Sequence, residues 1–384
     1  MNIFIIARGY PTKQNPMWGC FEKDQAEALA KLGHKVCIIY FDNRLKSDRK
    51  DFGLYRIHNK GVTAYGYKLI PSRSFGWSKK IFYFIENWEL ERAYLAAVKE
   101  FGQPDVLYSH YLFRTYHAIF LKKKYGIPLV AIEHWSKLNE IPLDKSIQQI
   151  GECAYANTDQ LITVCTPLKE CIQNLFNTNS LIVHNMVGKE FYYAETNKCQ
   201  TLTMVSTGRL VYGKGFDLLI NALNNIQNQL PKQWKMIIIG DGKERNALQQ
   251  QINSANLQEH IVLTGQKNKT ELVQLLQQSD FFVFPSRGEN FSVAVLEALA
   301  CGLPVIASIC GGIRECIYDK NGLLFPVNDT DHLAESILYL INHLEEYNRQ
   351  EIAQDCKARF SSEVIAQQLT TIFEETIKIH KEQE

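Results

Sequence analysis

The 384-residue chain holds no apolar run that approaches the length of a membrane-spanning helix. Its opening apolar stretch, Asn2-Ile3-Phe4-Ile5-Ile6-Ala7 directly after Met1, is too short for a signal peptide. Together these absences predict a cytoplasmic protein, neither secreted by that route nor membrane-spanning. Ten cysteines occur, but without a Cys-x-x-Cys pair or a zinc-ligand spacing. Several, Cys37 and Cys301 among them, lie in apolar stretches, so reduced and buried thiols are expected rather than a disulfide framework. No Asp-x-Asp is read as a metal site, and neither a His-Glu-x-x-His helix nor a Ser-His-Asp elbow is found, so no metal and no cofactor are expected. Internal repeats and low-complexity tracts are lacking too, which argues against a solenoid.

Charge of one sign is also scarce. The formal net charge is +1, and nothing in it calls for a nucleic-acid partner. That balance hides an asymmetry, however. Residues 1–185 hold 24 Lys+Arg against 17 Asp+Glu, a net +7, and the remainder holds 18 against 24, a net −6. A basic first half can steer anionic partners. Within it, Tyr67 to Ile85 carries Lys68, Arg73, Lys79 and Lys80 without an acid, interleaved with Tyr67, Phe75, Trp77, Phe82, Tyr83 and Phe84. Two readings fit: aromatic core with a solvated basic face, or a face that meets an anionic membrane surface peripherally.

What is present is a long alternation of strands and helices, enough chain for two cores. Asn2 to Ala7 reads as a strand, Arg8 to Gly19 as a loop, Cys20 to about Leu32 as a helix closed by Gly33, and Val36 to Phe41 as a strand. Such a βαβ unit demands a parallel sheet and a right-handed crossover. Ligands bind at the carboxyl ends of those strands, where the loop lies. Gly19 at the helix start would let backbone approach a phosphate or a sugar. Strands follow at Pro104–His110 and Pro128–Ile132, the latter running into Glu133-His134-Trp135, so His110 and His134 both fall at strand ends. Gln160–Val164 and Ser180–Val183 complete the first half. The second half restarts at Thr201–Thr207 and continues through Trp234–Ile239, Ile261–Thr264, Phe281–Phe284, Val305–Ala307 and Leu323–Phe325. Helices are expected from Thr330 to about Phe360 and from Ser361 to Ile379. The predicted domains are 1–187 and 201–360, with a linker at 188–200 and a terminal helix at 361–384.

The most informative stretch runs from Pro285 to Pro304. A buried strand, Phe281 to Phe284, leads into a polar turn, Ser286 to Asn290, and then a helix capped by Asn290 or Ser292 that ends at Gly302-Leu303-Pro304. Glu289 sits in the turn and Glu297 eight positions on, roughly 12 Å away at the helical rise. Free N–H groups of the helix start lie between them and suit an anion. Earlier, Gly208-Arg209-Leu210-Val211-Tyr212-Gly213-Lys214 fits most of a P-loop. Gly215 then stands where a P-loop needs Ser or Thr for magnesium. Two cations five positions apart at a helix start can instead neutralise charge on a leaving diphosphate without a metal. Gly240-Asp241-Gly242 is followed by Arg245 where a dinucleotide fingerprint needs a third glycine.

Ser-Arg-Gly-Glu-Asn-Phe-Ser, Leu-Glu-Ala-Leu-Ala-Cys-Gly-Leu-Pro-Val-Ile-Ala and Gly311-Gly312-Ile313-Arg314-Glu315 closely resemble the donor-site signature of the family 4 retaining glycosyltransferases. Gly-Arg-Leu…Lys-Gly and, less closely, His184-Asn185-Met186-Val187 fit the same family. The resemblance implies an α/β fold of two Rossmann-like domains with parallel sheets facing across a cleft (GT-B), with the terminal helix returning to the first domain. It implies transfer of a hexose or N-acetylhexosamine from a nucleotide-sugar, UDP- or GDP-linked, to an acceptor hydroxyl with retention. By the same resemblance Arg209 and Lys214 clamp the diphosphate, and Glu289 with Asn290, Phe291, Ser292 and Val293 grips the sugar. Glu297 holds the ribose, Gly19 and Gly208 line the donor, and His134 stands beside the donor sugar. The implied acceptor is a saccharide or lipid-linked saccharide of bacterial surface polysaccharide, met peripherally on the inner face of the cytoplasmic membrane. A nucleotide-sugar epimerase of the same architecture and a non-catalytic nucleotide-binding subunit are the alternatives.

Overall fold

A computed structural model of the chain describes residues 1–12, 15, 17–42, 52–69, 79–139, 142–195 and 200–383, without the side chains of residues 79 and 80. The chain forms two compact units: Met1–Val183 with Glu363–Glu384, and His184–Ser362.

The first unit is built on an eight-stranded sheet. In chain order its elements are β1 (Asn2–Ile6), α1 (Cys20–Lys31), β2 (Lys35–Phe41), β3 (Gly53–Asn59), β4 (Val62–Lys68), α2 (Lys79–Phe101), β5 (Val106–His110), α3 (Leu112–Tyr125), β6 (Leu129–Glu133), α4 (Lys145–Ala156), β7 (Gln160–Thr163), α5 (Thr166–Phe176) and β8 (Leu181–Ile182). The strand order is β3-β4-β2-β1-β5-β6-β7-β8. Every neighbouring pair is parallel except β3 and β4. The central strands are apolar runs buried on both faces, as a sheet covered by helices on two sides requires. β3 and β4 form a hairpin that the sequence reading did not anticipate. Their connection, Lys60-Gly61, has φ of 49° and 80° at the two central positions, the left-handed pair that matches strand twist.

The basic aromatic stretch divides on folding. Tyr67 packs edge-on to Trp88 at 5.3 Å, and Tyr83 stacks on His117 at 5.1 Å. Lys68 is only 7 % exposed and lies over the Phe52 ring, so its cation does not belong to a solvent-facing basic surface, contrary to expectation. Phe84 and Ile81, one turn apart on α2, are 72 % and 46 % exposed. Arg73, Phe75 and Trp77 lie outside the described residues, as do the side chains of Lys79 and Lys80.

The second unit carries a six-stranded, wholly parallel sheet. It comprises β9 (Leu202–Thr207), α6 (Phe216–Ile226), β10 (Trp234–Ile239), α7 (Arg245–Ser254), β11 (Ile261–Leu263), α8 (Lys269–Gln277), β12 (Phe281–Phe284), α9 (Val293–Ala300), β13 (Val305–Ser308), β14 (Gly322–Phe325), α10 (Thr330–Asn342) and α11 (Arg349–Phe360). The order is β11-β10-β9-β12-β13-β14, with the reversal beside β9. Its core joins Phe281, Val283, Met204, Ile238 and Ile306 of the strands to Leu219, Leu223 and Ile337 of the helices. The single helix expected from Thr330 to Phe360 is broken. α10 stops at Asn342, a short 3-10 turn spans Leu344–Glu346, and Asn348 caps α11 by accepting from the N–H groups of Gln350 and Glu351. The last helix, α12 (Ser362–Gln383), packs within the first unit: Thr370 Oγ1 lies 2.9 Å from His34 Nε2, and Phe373 meets Tyr108 edge-on.

Candidate active site

In the second unit the predicted donor residues gather at the carboxyl ends of β9 and β12. β9 delivers Gly208 and Arg209, and a 3-10 turn over Tyr212–Lys214 brings Lys214 round to the start of α6. Gly215, with φ 67°, closes that turn. A Cβ there would stand 1.9 Å from the Pro285 carbonyl oxygen, so the two loops touch backbone to backbone. The contact is stitched by hydrogen bonds: Arg287 N–H donates to Gly213 O at 2.8 Å and Ser286 Oγ to the same oxygen at 3.0 Å.

Sewing these loops together brings Lys214 to Glu289, whose side chains form an ion pair, each about one-fifth exposed. Burial, then the charge of Arg209, lowers Lys214 to about 8, and the paired Glu289 carboxylate opposes that shift by favouring the charged form. Next to the pair the chain turns through buried Asn290, Phe291 and Ser292 into α9. Ser292 holds the N-cap position but makes no side-chain capping bond, so it does not perform the capping expected of it. Val293 opens the helix and Glu297 is half-buried in its second turn. Phe291 is anchored from behind: His184 stacks on its ring at 4.5 Å, and Asn185 Nδ2 donates to its carbonyl at 2.8 Å.

Arg287 was passed over in the sequence and braces the whole assembly. Its guanidinium pairs bidentately with Asp217 of α6 at 2.7 Å through both Nη atoms. It also donates from Nη1 to Tyr212 O and from Nε to Asn328 Oδ1, and lies over the Tyr212 ring at 3.9 Å. The signal was the position alone, an Arg beside the paired glutamates. Asp329 and Asp331 have an Asp-x-Asp spacing, but Asp329 serves as the N-cap of α10, accepting from His332 N–H.

The other predicted residues, Gly19 and His134, belong to the first unit. Gly19 starts α1 with φ 77°, and a Cβ on it would meet the Gly9 carbonyl oxygen at 2.2 Å; the loop's own closure uses that space. His134 follows β6, its ring stacked between Phe21 and His110. His110 is fully buried, and burial with the nearby Arg8 charge lowers it to about 3, so its ring is neutral.

Glu133, the last residue of β6, organises this end of the sheet. Its Oε2 accepts from Leu112 N–H at 2.7 Å and Tyr155 Oη at 2.8 Å, and its Oε1 from the N–H groups of His134 and Trp135. Beside it Arg8 stacks over the Tyr111 ring at 3.8 Å and donates from Nε to Glu22. Glu133, Arg8, Glu22 and Tyr111 carried no motif; strand-end position was the one available signal for Glu133, Arg8 and Tyr111, and Glu22, in α1, had none.

Residues 191–354 match the family model for glycosyl transferases group 1, and residues 23–190 match that for glycosyltransferase family 4. An uncharacterised glycosyltransferase of Methanocaldococcus jannaschii is 32 % identical over 277 residues, 71 % of this chain and 75 % of that one. TuaC of Bacillus subtilis, assigned provisionally to teichuronic acid biosynthesis, is 25 % identical over 92 % of each chain. Among solved structures, HepE of Anabaena in complex with UDP superposes with a TM-score of 0.74 at 17 % identity, over 98 % of this chain and all of that one. Strand order, loop geometry and both family matches agree: the chain belongs to the group 1, family 4 glycosyltransferases of GT-B architecture.

Proposed function

We propose that this glycosyltransferase moves a hexose or N-acetylhexosamine from a UDP- or GDP-linked donor to an acceptor hydroxyl, retaining anomeric configuration and using no metal. The observation that carries this reading is the meeting of Lys214 and Glu289 at the start of α9, with the charge of Arg209 beside them. Lys214 and Glu289 pair with each other. A donor diphosphate takes over Lys214 and Arg209, which frees Glu289 to accept from sugar hydroxyls. The partial positive charge at the α9 start adds to the stabilisation of the departing diphosphate. Asn290, Phe291, Ser292 and Val293 surround the sugar and phosphates, Gly208 passes close to the diphosphate, and Glu297 accepts from the ribose. Gly19 and His134, in the first unit, are assigned to the donor sugar by the family resemblance alone. No enzymic nucleophile is required: a diphosphate oxygen takes the acceptor proton on the face it leaves.

The acceptor is a saccharide or lipid-linked saccharide of surface polysaccharide, reached by peripheral association with the inner face of the cytoplasmic membrane. The likeness to TuaC supports the polysaccharide reading, and the UDP bound by HepE supports a nucleotide-linked donor. Arg209→Ala and Lys214→Ala test the clamp. Each is expected to lower turnover about 100-fold or more while the protein stays folded. Turnover within twofold of wild type in both variants would remove the assignment.

A further inference from the structure

The first unit contains an arginine arranged to be read from outside. Three Arg–carboxylate pairs of this chain show the difference. Arg287 engages Asp217 through both Nη atoms, and Arg56 engages Glu100 through Nε and Nη2, so each uses a full edge of its fork. Arg8 does not. Glu22, fully buried, accepts from Arg8 Nε at 3.0 Å and from Arg8 backbone N–H at 3.2 Å with one and the same oxygen. No described residue accepts from either Nη of Arg8, and the other oxygen of Glu22 has no described partner.

The guanidinium is held flat by the Tyr111 ring at 3.8 Å, and Tyr111 takes a φ of 66°, a left-handed conformation that a tyrosine adopts at a cost. On its other side Tyr111 meets the His134 ring at 5.1 Å. Arg114, over the Phe41 ring, donates to the Arg8 carbonyl at 3.3 Å and adds a second positive charge. The Arg8 side chain remains 34 % exposed, at the carboxyl end of β1.

From this geometry we propose that Arg8, set by Glu22 and Tyr111, binds an oxyanion, a phosphate or carboxylate group carried by the acceptor. A planar fork with two open Nη donors matches two oxygens of such a group. The buried Glu22 fixes the fork without occupying that edge. That the anion belongs to the acceptor rests on the transferase reading above; that Arg8 binds an anion does not.

The test uses the full chain carrying Arg209→Ala and Lys214→Ala, so that the donor clamp cannot report. Inorganic phosphate is titrated at constant ionic strength and followed by its phosphorus NMR line width. The proposal expects saturable millimolar broadening that weakens at least tenfold on adding Arg8→Gln with Glu22→Gln. That pair removes both charges and leaves no buried carboxylate alone. Arg8→Lys, which keeps the charge and loses the fork, should fall between. Broadening absent from the clamp-deficient protein, or unchanged by the Arg8 substitutions, overturns the proposal and leaves the donor assignment untouched. Displacement of phosphate by acetate with the same Arg8 dependence supports a site that also takes carboxylates. Retention of phosphate against acetate supports a phosphate-bearing acceptor.

Discussion

Lys214 shows how a single position joins environment to chemistry. An ordinary lysine loses its proton near pH 10.4, whereas burial and Arg209 bring this one to about 8. A bound diphosphate favours the charged form, so donor binding should take up a proton as pH passes 8. The expected outcome is nucleotide-sugar affinity that is level below pH 7 and weakens steadily above 8, with the dependence lost in Lys214→Ala. Calorimetric titration across pH 6.5 to 9.5 would measure it, and a level wild-type affinity would contradict it. The sign for stability is opposite. The folded chain releases this proton before the unfolded chain does, so Lys214 makes folding less favourable at neutral pH and the deficit shrinks as pH rises from about 8 to about 10. Lys214 and Glu289 were legible in the sequence because each stands inside a motif of fixed local spacing. Arg8 with Glu22, and Glu133 with Leu112 and Tyr155, were not, because residue type alone does not disclose a partner fourteen or more positions away.

Elements were legible where burial dictates composition. β1, β5, β6 and β12 are short apolar runs, which only a doubly covered strand satisfies, and they lie within a residue or two of expectation. β3 was missed because it alternates between half-buried and exposed positions and mixes Arg and His with Leu and Ile; its turn, Lys60-Gly61, was the readable sign. The break between α10 and α11 was missed because Asn348 caps a helix inside a polar stretch that also suits a helix interior. Loops joined by side chains are harder still to read. Arg287 ties the Ser286–Asn290 turn to α6, to Tyr212 and to Asn328 at once. Arg287→Ala should therefore destabilise the protein by about 1 kcal/mol, because it removes a bidentate pair with a partly exposed carboxylate and the bonds to Tyr212 and Asn328. Donor KM should rise more than kcat falls, since the Lys214–Glu289 spacing loosens. Urea unfolding and steady-state kinetics would check both, and a stability change under about 0.5 kcal/mol would show the brace to be dispensable.

At the scale of the molecule, two α/β units could be read from the repeated alternation of strand and helix; the second unit's sheet is wholly parallel, as that alternation demands, and the first is parallel except for the β3–β4 hairpin at its edge. No described helix is long and apolar enough to cross a membrane. Peripheral association is a separate matter, and folding narrows its candidates: Lys68 is buried, while Ile81 and Phe84 stand out from α2. Wild type should float with anionic liposomes at low salt and less at high salt. Arg73, Lys79 and Lys80 changed together to Gln should reduce flotation, as should Phe84→Ser. Wild type remaining at the bottom of the gradient at low salt would point to a soluble acceptor. The central claim, sugar transfer from a nucleotide-sugar through a clamp of side chains, is tested most directly by a donor panel. The protein is incubated in excess EDTA with UDP- and GDP-linked hexoses and N-acetylhexosamines, with saccharide and lipid-linked acceptors, and nucleoside diphosphate release is followed. The account predicts release from at least one donor, undiminished by the chelator. Release that requires added magnesium or manganese, or interconversion of the donor sugar without release, would contradict it.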